Sequence, residues 1–308
     1  PLFRDPVHDG AADPILVWNR GRGRWWMLTT NRRANVPGLP GVRWVHATRI
    51  GVAESDDLGA SWRYAGTLDL PVGGPDDSHW APDVLWHDGA YHMYLSVVTG
   101  LHDDWSGTRA IHHLVSPDLG RWTDHGPIPL SSDRVIDATV ARLGDGLWRL
   151  WYKDESDRSA IHVADSPDPF VWTNRGRVVG DTPGEGPKVF RWKGSWWMVV
   201  DIWDGLRVYR SDDGLAWTPQ EAPLLRGPGS GPDDQVKGGH ADVVVTGDDR
   251  AYVFYFTHPG RRGPDADADR YEQRRSSVQV AELFVRDGVL ACDRDAPCRI
   301  RLTPAAGA

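Results

Sequence analysis

Residues 184–200 read Gly-Glu-Gly-Pro-Lys-Val-Phe-Arg-Trp-Lys-Gly-Ser-Trp-Trp-Met-Val-Val, with Glu185 set between two glycines. An apolar run follows it, then a Lys193-Gly194 turn, then a second apolar run. Two such runs around a two-residue turn ending in Gly predict a β-hairpin. The plan recurs at four other places. Each time a different chemically capable side chain stands where Glu185 stands here.

The five segments are 13–30, 80–97, 137–153, 185–200 and 240–257. Their turns read Arg-Gly-Arg-Gly (20–23), Asp88-Gly89, Asp145-Gly146, Lys193-Gly194 and Gly247-Asp248-Asp249. The second strands open on Trp25, Tyr91, Trp148, Trp196 and Tyr252, spaced 66, 57, 48 and 56 residues apart. That spacing suits a four-stranded propeller blade of about 40–50 residues with insertions. A second motif interleaves with the first: Ser55-x-Asp57-x-Gly59-x-x-Trp62, Ser116-x-Asp118-x-Gly120-x-Trp122, Ser166-x-Asp168 with Trp172, and Ser211-x-Asp213-Gly214 with Trp217. These resemble the Asp-box turns of propeller hydrolases. Their carboxylates accept backbone N–H groups and are structural. Each unit reads strand, turn, strand, connection, strand, Asp-box turn, strand. The expected fold is therefore all-β, a five-bladed β-propeller occupying residues 1–308 as one domain. Residues 278–284 supply a later strand of the fifth blade, and the N-terminal residues help to close the ring. Residues 31–46, 100–109 and 259–275 read as loops gathered on one face to shape a site.

Composition narrows the function. The 35 basic and 43 acidic residues give a net charge of −8, which argues against a nucleic-acid partner. No apolar run reaches the roughly 20 residues of a membrane span. Seventeen Trp against three Met indicate aromatic packing of β-structure, with a minority free to stack on sugars. Cys292 and Cys298 are equally compatible with a disulfide and with two thiols. The chain begins at Pro1, which is consistent with a processed signal peptide, and both a secreted and a cytoplasmic location stay open.

The first strand of a propeller blade lines the axis. Counting back 11 or 12 residues from each second-strand aromatic reaches Asp13, Trp80, Asp137, Glu185 and His240. A purely structural role predicts small or apolar residues at such crowded positions. Three carboxylates and a histidine there are electrostatically costly unless a reaction requires them.

With Ala12-Asp13-Pro14, Trp80-Ala-Pro-Asp83, Ile136-Asp137, Glu185-Gly-Pro187 and Gly239-His240 in this order, the chain resembles glycoside hydrolase family 43, five-bladed propellers acting mostly on arabinofuranosides and xylosides. The resemblance implies Asp13 as general base, Glu185 as general acid, and Asp137 as the group that tunes and orients the acid. It also places His240 where relatives face an axial water or metal ion. No cofactor is required, and an axial Ca²⁺ near His240, held through water, is the one metal it suggests. Asp137-Ala138 departs from the usual Asp-Pro. Nothing after residue 308 supplies the extra β-sandwich of many xylosidase-type members, which shifts the expectation away from a xylosidase and leaves a galactofuranoside open.

The chemistry agrees with these types. Inversion needs a protonated carboxyl and an ionised carboxylate with water between them. A third carboxylate near the acid disfavours its ionised form. Trp80 is expected to wall the sugar. His79, Trp44, His46 and Trp105 are candidates for neighbouring subsites, and Arg274 or Arg275 for a sugar hydroxyl. The expected substrate is an oligo- or polysaccharide with terminal furanosides, α-L-arabinofuranose or the related β-D-galactofuranose. Alternatives are a β-xylosidase or endo-arabinanase of the same family, a sialidase-like hydrolase, and a non-catalytic sugar-binding propeller.

Overall fold

The computed structural model describes residues 1–305. Within them, twenty strands form five four-stranded antiparallel sheets, the blades of a β-propeller. Blade I holds β1 (Ala11–Asn19), β2 (Arg24–Asn31), β3 (Ile50–Ser55) and β4 (Arg63–Thr67). Blade II holds β5 (Ser78–His87), β6 (Ala90–Val98), β7 (Arg109–Ser116) and β8 (Thr123–Pro127). Blade III holds β9 (Val135–Arg142), β10 (Trp148–Asp154), β11 (Ala160–Ser166) and β12 (Thr173–Val179). Blade IV holds β13 (Glu185–Trp192), β14 (Ser195–Asp201), β15 (Leu206–Ser211) and β16 (Thr218–Pro219). Blade V holds β17 (Gly239–Val245), β18 (Ala251–Thr257), β19 (Ser277–Arg286) and β20 (Val289–Cys292). Among the described residues, no helix is long and apolar enough to cross a membrane.

The continuous apolar runs follow from stacking blades face to face. Successive side chains of a strand point to opposite faces, and in a propeller both faces meet a neighbouring blade. On β14, Trp196, Met198 and Val200 pack toward blade III with Trp151 and Val163. Trp197 and Val199 pack the other way, against Val243, Val253 and Tyr255 of blade V. Each fully buried large side chain contributes roughly 1.5–3 kcal/mol, so these seams hold the ring together far more than the turns do. Both termini cross the seam between blades V and I. The Phe3 and Val278 backbones exchange hydrogen bonds, and the Trp25 indole donates to the Leu302 carbonyl at 2.7 Å.

The Asp-box carboxylates act in the turns between third and fourth strands. Asp118 accepts from the Gly120 and Arg121 amides, which hold it down at about 2. Asp57, Asp168 and Asp213 make equivalent bonds. Cys292 and Cys298 are free thiols.

Each first strand carries one β-bulge at the same depth, between Ala12 and Ile15, Trp80 and Asp83, Ile136 and Thr139, Glu185 and Lys188, and Gly239 and Asp242. The first bulged residue has positive φ in every blade: Asp13, Ala81, Asp137, Gly186 and His240. This corrects the counting above. Trp80 and Glu185 lie one residue before the row that holds Asp13, Asp137 and His240. The cause is hairpin length: the turns take two residues in blades II and IV, four in blade I and five in blades III and V.

Just past the bulge, Lys188 Nζ lies 2.9 Å from both Asp83 and Asp242. Asp83 also accepts from the Val140 amide, and Asp242 from the Leu16 amide, each at 2.8 Å. One buried charge network thus ties all five blades at the axis.

Five of the buried histidines sit where burial favours the neutral ring. Burial holds His46 and His79 down at about 4 and His113 at about 3, and lowers His92 and His258 too. The unfolded chain protonates these rings below about pH 6.5, before the folded chain does. Their contribution is complete above that pH and is lost as the pH falls toward the folded values. Tm is expected to fall steadily between about pH 6.5 and about pH 4, and a Tm unchanged across that window in thermal melts contradicts this.

Candidate active site

The bulges aim the axial residues into one cavity of about 740 Å³. Asp13, Asp137, Glu185, His240, Trp44, Trp80 and Trp105 all line it. His240 Nδ1 lies 3.4 Å from Asp13 and 4.0 Å from Asp137. Gly186 has a φ of 54°, and a Cβ there would stand 2.7 Å from the His240 ring. This glycine is therefore required twice, by its conformation and by the histidine packed on it. Its amide donates to Asp137 Oδ2 at 3.1 Å, joining blades III and IV beside Glu185.

The walls come from the loops. Trp44 is buried, while Trp105 is 53% exposed, its ring 6.2 Å from that of Trp80. Trp203, just after β14, is 42% exposed. Most tryptophans are buried in the blade seams, so these two are the ones with a large free face at the cavity. Val42 donates to the Asp103 carbonyl and Arg274 to that of Leu39, which links the three insertions into one wall. Residues 226–238, which the sequence reading did not single out, close the other side with Arg226, Gln235 and Lys237.

Four candidates, His79, His46, Arg274 and Arg275, do not line the cavity, and their placement corrects the expectation of direct sugar contact. His79 alternates with Trp80 along β5, so it points to the opposite face and sits 3.0 Å from the Val72 carbonyl. His46 is buried behind the wall, 5.4 Å ring to ring from Trp80. Arg275 follows a short helix, α1 (Tyr271–Arg274), and is captured by Asp233 at 3.0 Å and Glu272 at 3.2 Å. Arg274 instead lies 5.7 Å from the Trp44 ring and braces it.

The sequence matches the family model described as "Glycosyl hydrolases family 43" over residues 4–278. The chain belongs to glycoside hydrolase family 43. It is 33% identical over 144 residues to the "Probable arabinan endo-1,5-alpha-L-arabinosidase C" of Aspergillus oryzae, covering 44% of this chain and 40% of that protein. It is 26% identical over 171 residues to the "Probable arabinan endo-1,5-alpha-L-arabinosidase A" of Aspergillus fumigatus, covering 50% and 47%. The matches thus span less than half the length of these relatives. Among solved structures, the fold is similar to a thermostable family-43 glycoside hydrolase, with a TM-score of 0.70 and 19% identity over 97% of this chain and 99% of that one. It is also similar to the α-L-arabinofuranosidase from Lactobacillus brevis, with a TM-score of 0.64 and 18% identity over 97% and 98%.

Sequence reasoning missed three charged residues of this family 43 site: Arg32, Lys153 and Asp201. Arg32 holds both Asp13 oxygens, at 3.0 and 3.1 Å. Lys153 Nζ lies 2.8 Å from Glu185 Oε2. Asp201 accepts from the His240 and Trp203 amides, each at 2.7 Å. Lys153 and Asp201 occupy one row, directly across the hairpin from Ile136 and Glu185. A signal exists for Asp201, which closes the apolar run of β14, but Lys153 shares β10 with Arg149 and Asp154 and does not stand out.

Electrostatics divide the four carboxylates. Burial, reinforced by Glu185, pushes Asp137 up to about 7 and Asp201 up to about 6. Burial alone would raise Glu185 as well, but the Lys153 ammonium overrides it and holds Glu185 down at about 2. Burial opposes charge on His240, yet Asp13 and Asp137 raise it. Among the described residues, no three His, Cys, Asp or Glu side chains are grouped to hold a metal. An ion at His240 would therefore be held through water, as the resemblance implies, and no step below runs through one.

Proposed function

We propose that the protein is an inverting, exo-acting glycosidase that releases terminal furanosyl residues, α-L-arabinofuranose or the related β-D-galactofuranose. The observation that carries the reading is the convergence of Asp13, Asp137 and Glu185 on His240 in one tryptophan-walled cavity. In this reading the Asp13 carboxylate, oriented by Arg32, takes a proton from the attacking water. Glu185 protonates the leaving oxygen. Asp137 shares the buried cluster's proton with Glu185, because adjacent carboxylates do not all ionise at once. The exo reading takes the linked insertions and the facing segment with Arg226, Gln235 and Lys237 as the walls of a pocket that receives a chain end.

A second reading, an endo-acting arabinanase, is favoured by the names of the curated relatives. Digestion of linear α-1,5-arabinan separates the two. Arabinose as the sole early product supports the exo reading, and a ladder of oligosaccharides supports the endo reading. Proton NMR of the first product tests inversion, since initial release of the retained anomer refutes it. If no furanoside or xyloside in a nitrophenyl panel is cleaved while sugar binds by calorimetry, the protein is a sugar-binding propeller.

A further inference from the structure

We propose that Lys153 is a positioning residue that holds the Glu185 carboxylate and sets the upper pH limit of turnover. The inference rests on Glu185 being the general acid. The Lys153 side chain is only 5% exposed, and its ammonium lies 2.8 Å from Glu185, 3.2 Å from Glu155 and 5.4 Å from the Trp203 ring. Glu155 is already paired with Arg109 at 3.1 Å and Arg134 at 3.2 Å. The charge of Lys153 is therefore directed mainly at Glu185. The equivalent positions in the other blades are Thr30, Ser96, Asp201 and Phe256. A cation occupies this row in one blade alone, the one facing the acid.

Such a placement opposes protonation of the acid and therefore has a kinetic signature. The groups facing Glu185 are Lys153 and Glu155 from the end of blade III, Asp137 from β9, Asp201 and Trp203 from blade IV, and His240 from blade V. Asp13 and Arg32 join the same cluster through His240. Four carboxylates, Asp13, Asp137, Glu185 and Asp201, face three cations, Arg32, Lys153 and His240. Burial and the neighbouring Glu185 carboxylate favour a proton on Asp137. Removing Lys153 takes away the cation nearest Glu185, 2.8 Å off, and so favours a proton on that carboxylate.

The test is kcat/KM against pH for Lys153→Gln and Lys153→Arg, with phenyl and 2,4-dinitrophenyl α-L-arabinofuranosides. The alkaline limb reports the essential acid of the free enzyme. In Lys153→Gln that limb is expected to move up by about 1–3 pH units on the phenyl substrate, while Lys153→Arg leaves it in place. A uniform fall in rate with an unmoved limb overturns the proposal. Lys153→Met repeats the measurement should the glutamine variant not fold. Glu185→Gln, run in parallel, tests the underlying reading separately. If it slows the phenyl and dinitrophenyl substrates equally, Glu185 is not the acid, whatever Lys153 does.

Discussion

Glu185→Gln is expected to lower kcat by about 10²–10⁴-fold on α-L-arabinofuranosides with poor leaving groups, while the variant folds like the parent. A glutamine keeps the shape of the side chain and an acceptor oxygen for Lys153 but has no proton to give to the glycosidic oxygen. The loss should shrink greatly with a dinitrophenyl leaving group, which departs without protonation. Asp13→Asn should behave differently, because water must be activated whatever leaves, so its loss should be similar on both substrates. Steady-state kinetics on the two aryl furanosides read both variants. Near-normal turnover of the poor substrate by Glu185→Gln would sink the acid assignment.

Lys188→Met is expected to destabilise the fold by about 3–5 kcal/mol, the usual cost of stranding buried charges by removing their partner. Lys188 lies 2.9 Å from two carboxylates that are themselves almost fully buried, Asp83 and Asp242. Burial opposes its charge, but those carboxylates hold its proton affinity well above that of a free lysine. Methionine retains the packing of the stem and leaves two anions unpaired at the axis. For a chain of this size, the change corresponds to a fall in Tm of roughly 5–15 °C. Combining Lys188→Met with Asp83→Asn and Asp242→Asn removes the stranded charge and should recover part of the loss. A Tm for Lys188→Met within 1–2 °C of the parent, a shift of less than about 1 kcal/mol, would show that the network contributes little.

Lys188 marks where reading the sequence stops. It stands three residues after Glu185, in the stretch that reveals the hairpin, yet nothing local distinguishes it from a surface lysine. Its partners come from blades II and V, more than 50 residues away in either direction. Lys153 was hidden for the same reason, since its neighbour Glu185 belongs to the next blade. The axial acids were legible because each opens a hairpin that repeats. Their relative depth was not, because turns of two, four and five residues displace the count by one or two positions.

The sequence by itself determined the number of blades, the Asp-box turns and the identity of the residues entering the axis. These are local properties: apolar runs, turn residues and spacing act within about 60 residues of one another. Only the tertiary structure decided which residues meet. It turned Arg275 and His79 away from the cavity, paired Arg32 with Asp13, and set Lys153 against Glu185. Those outcomes depend on strand alternation, bulge register and the burial of charge between blades, which exist only once the ring has closed.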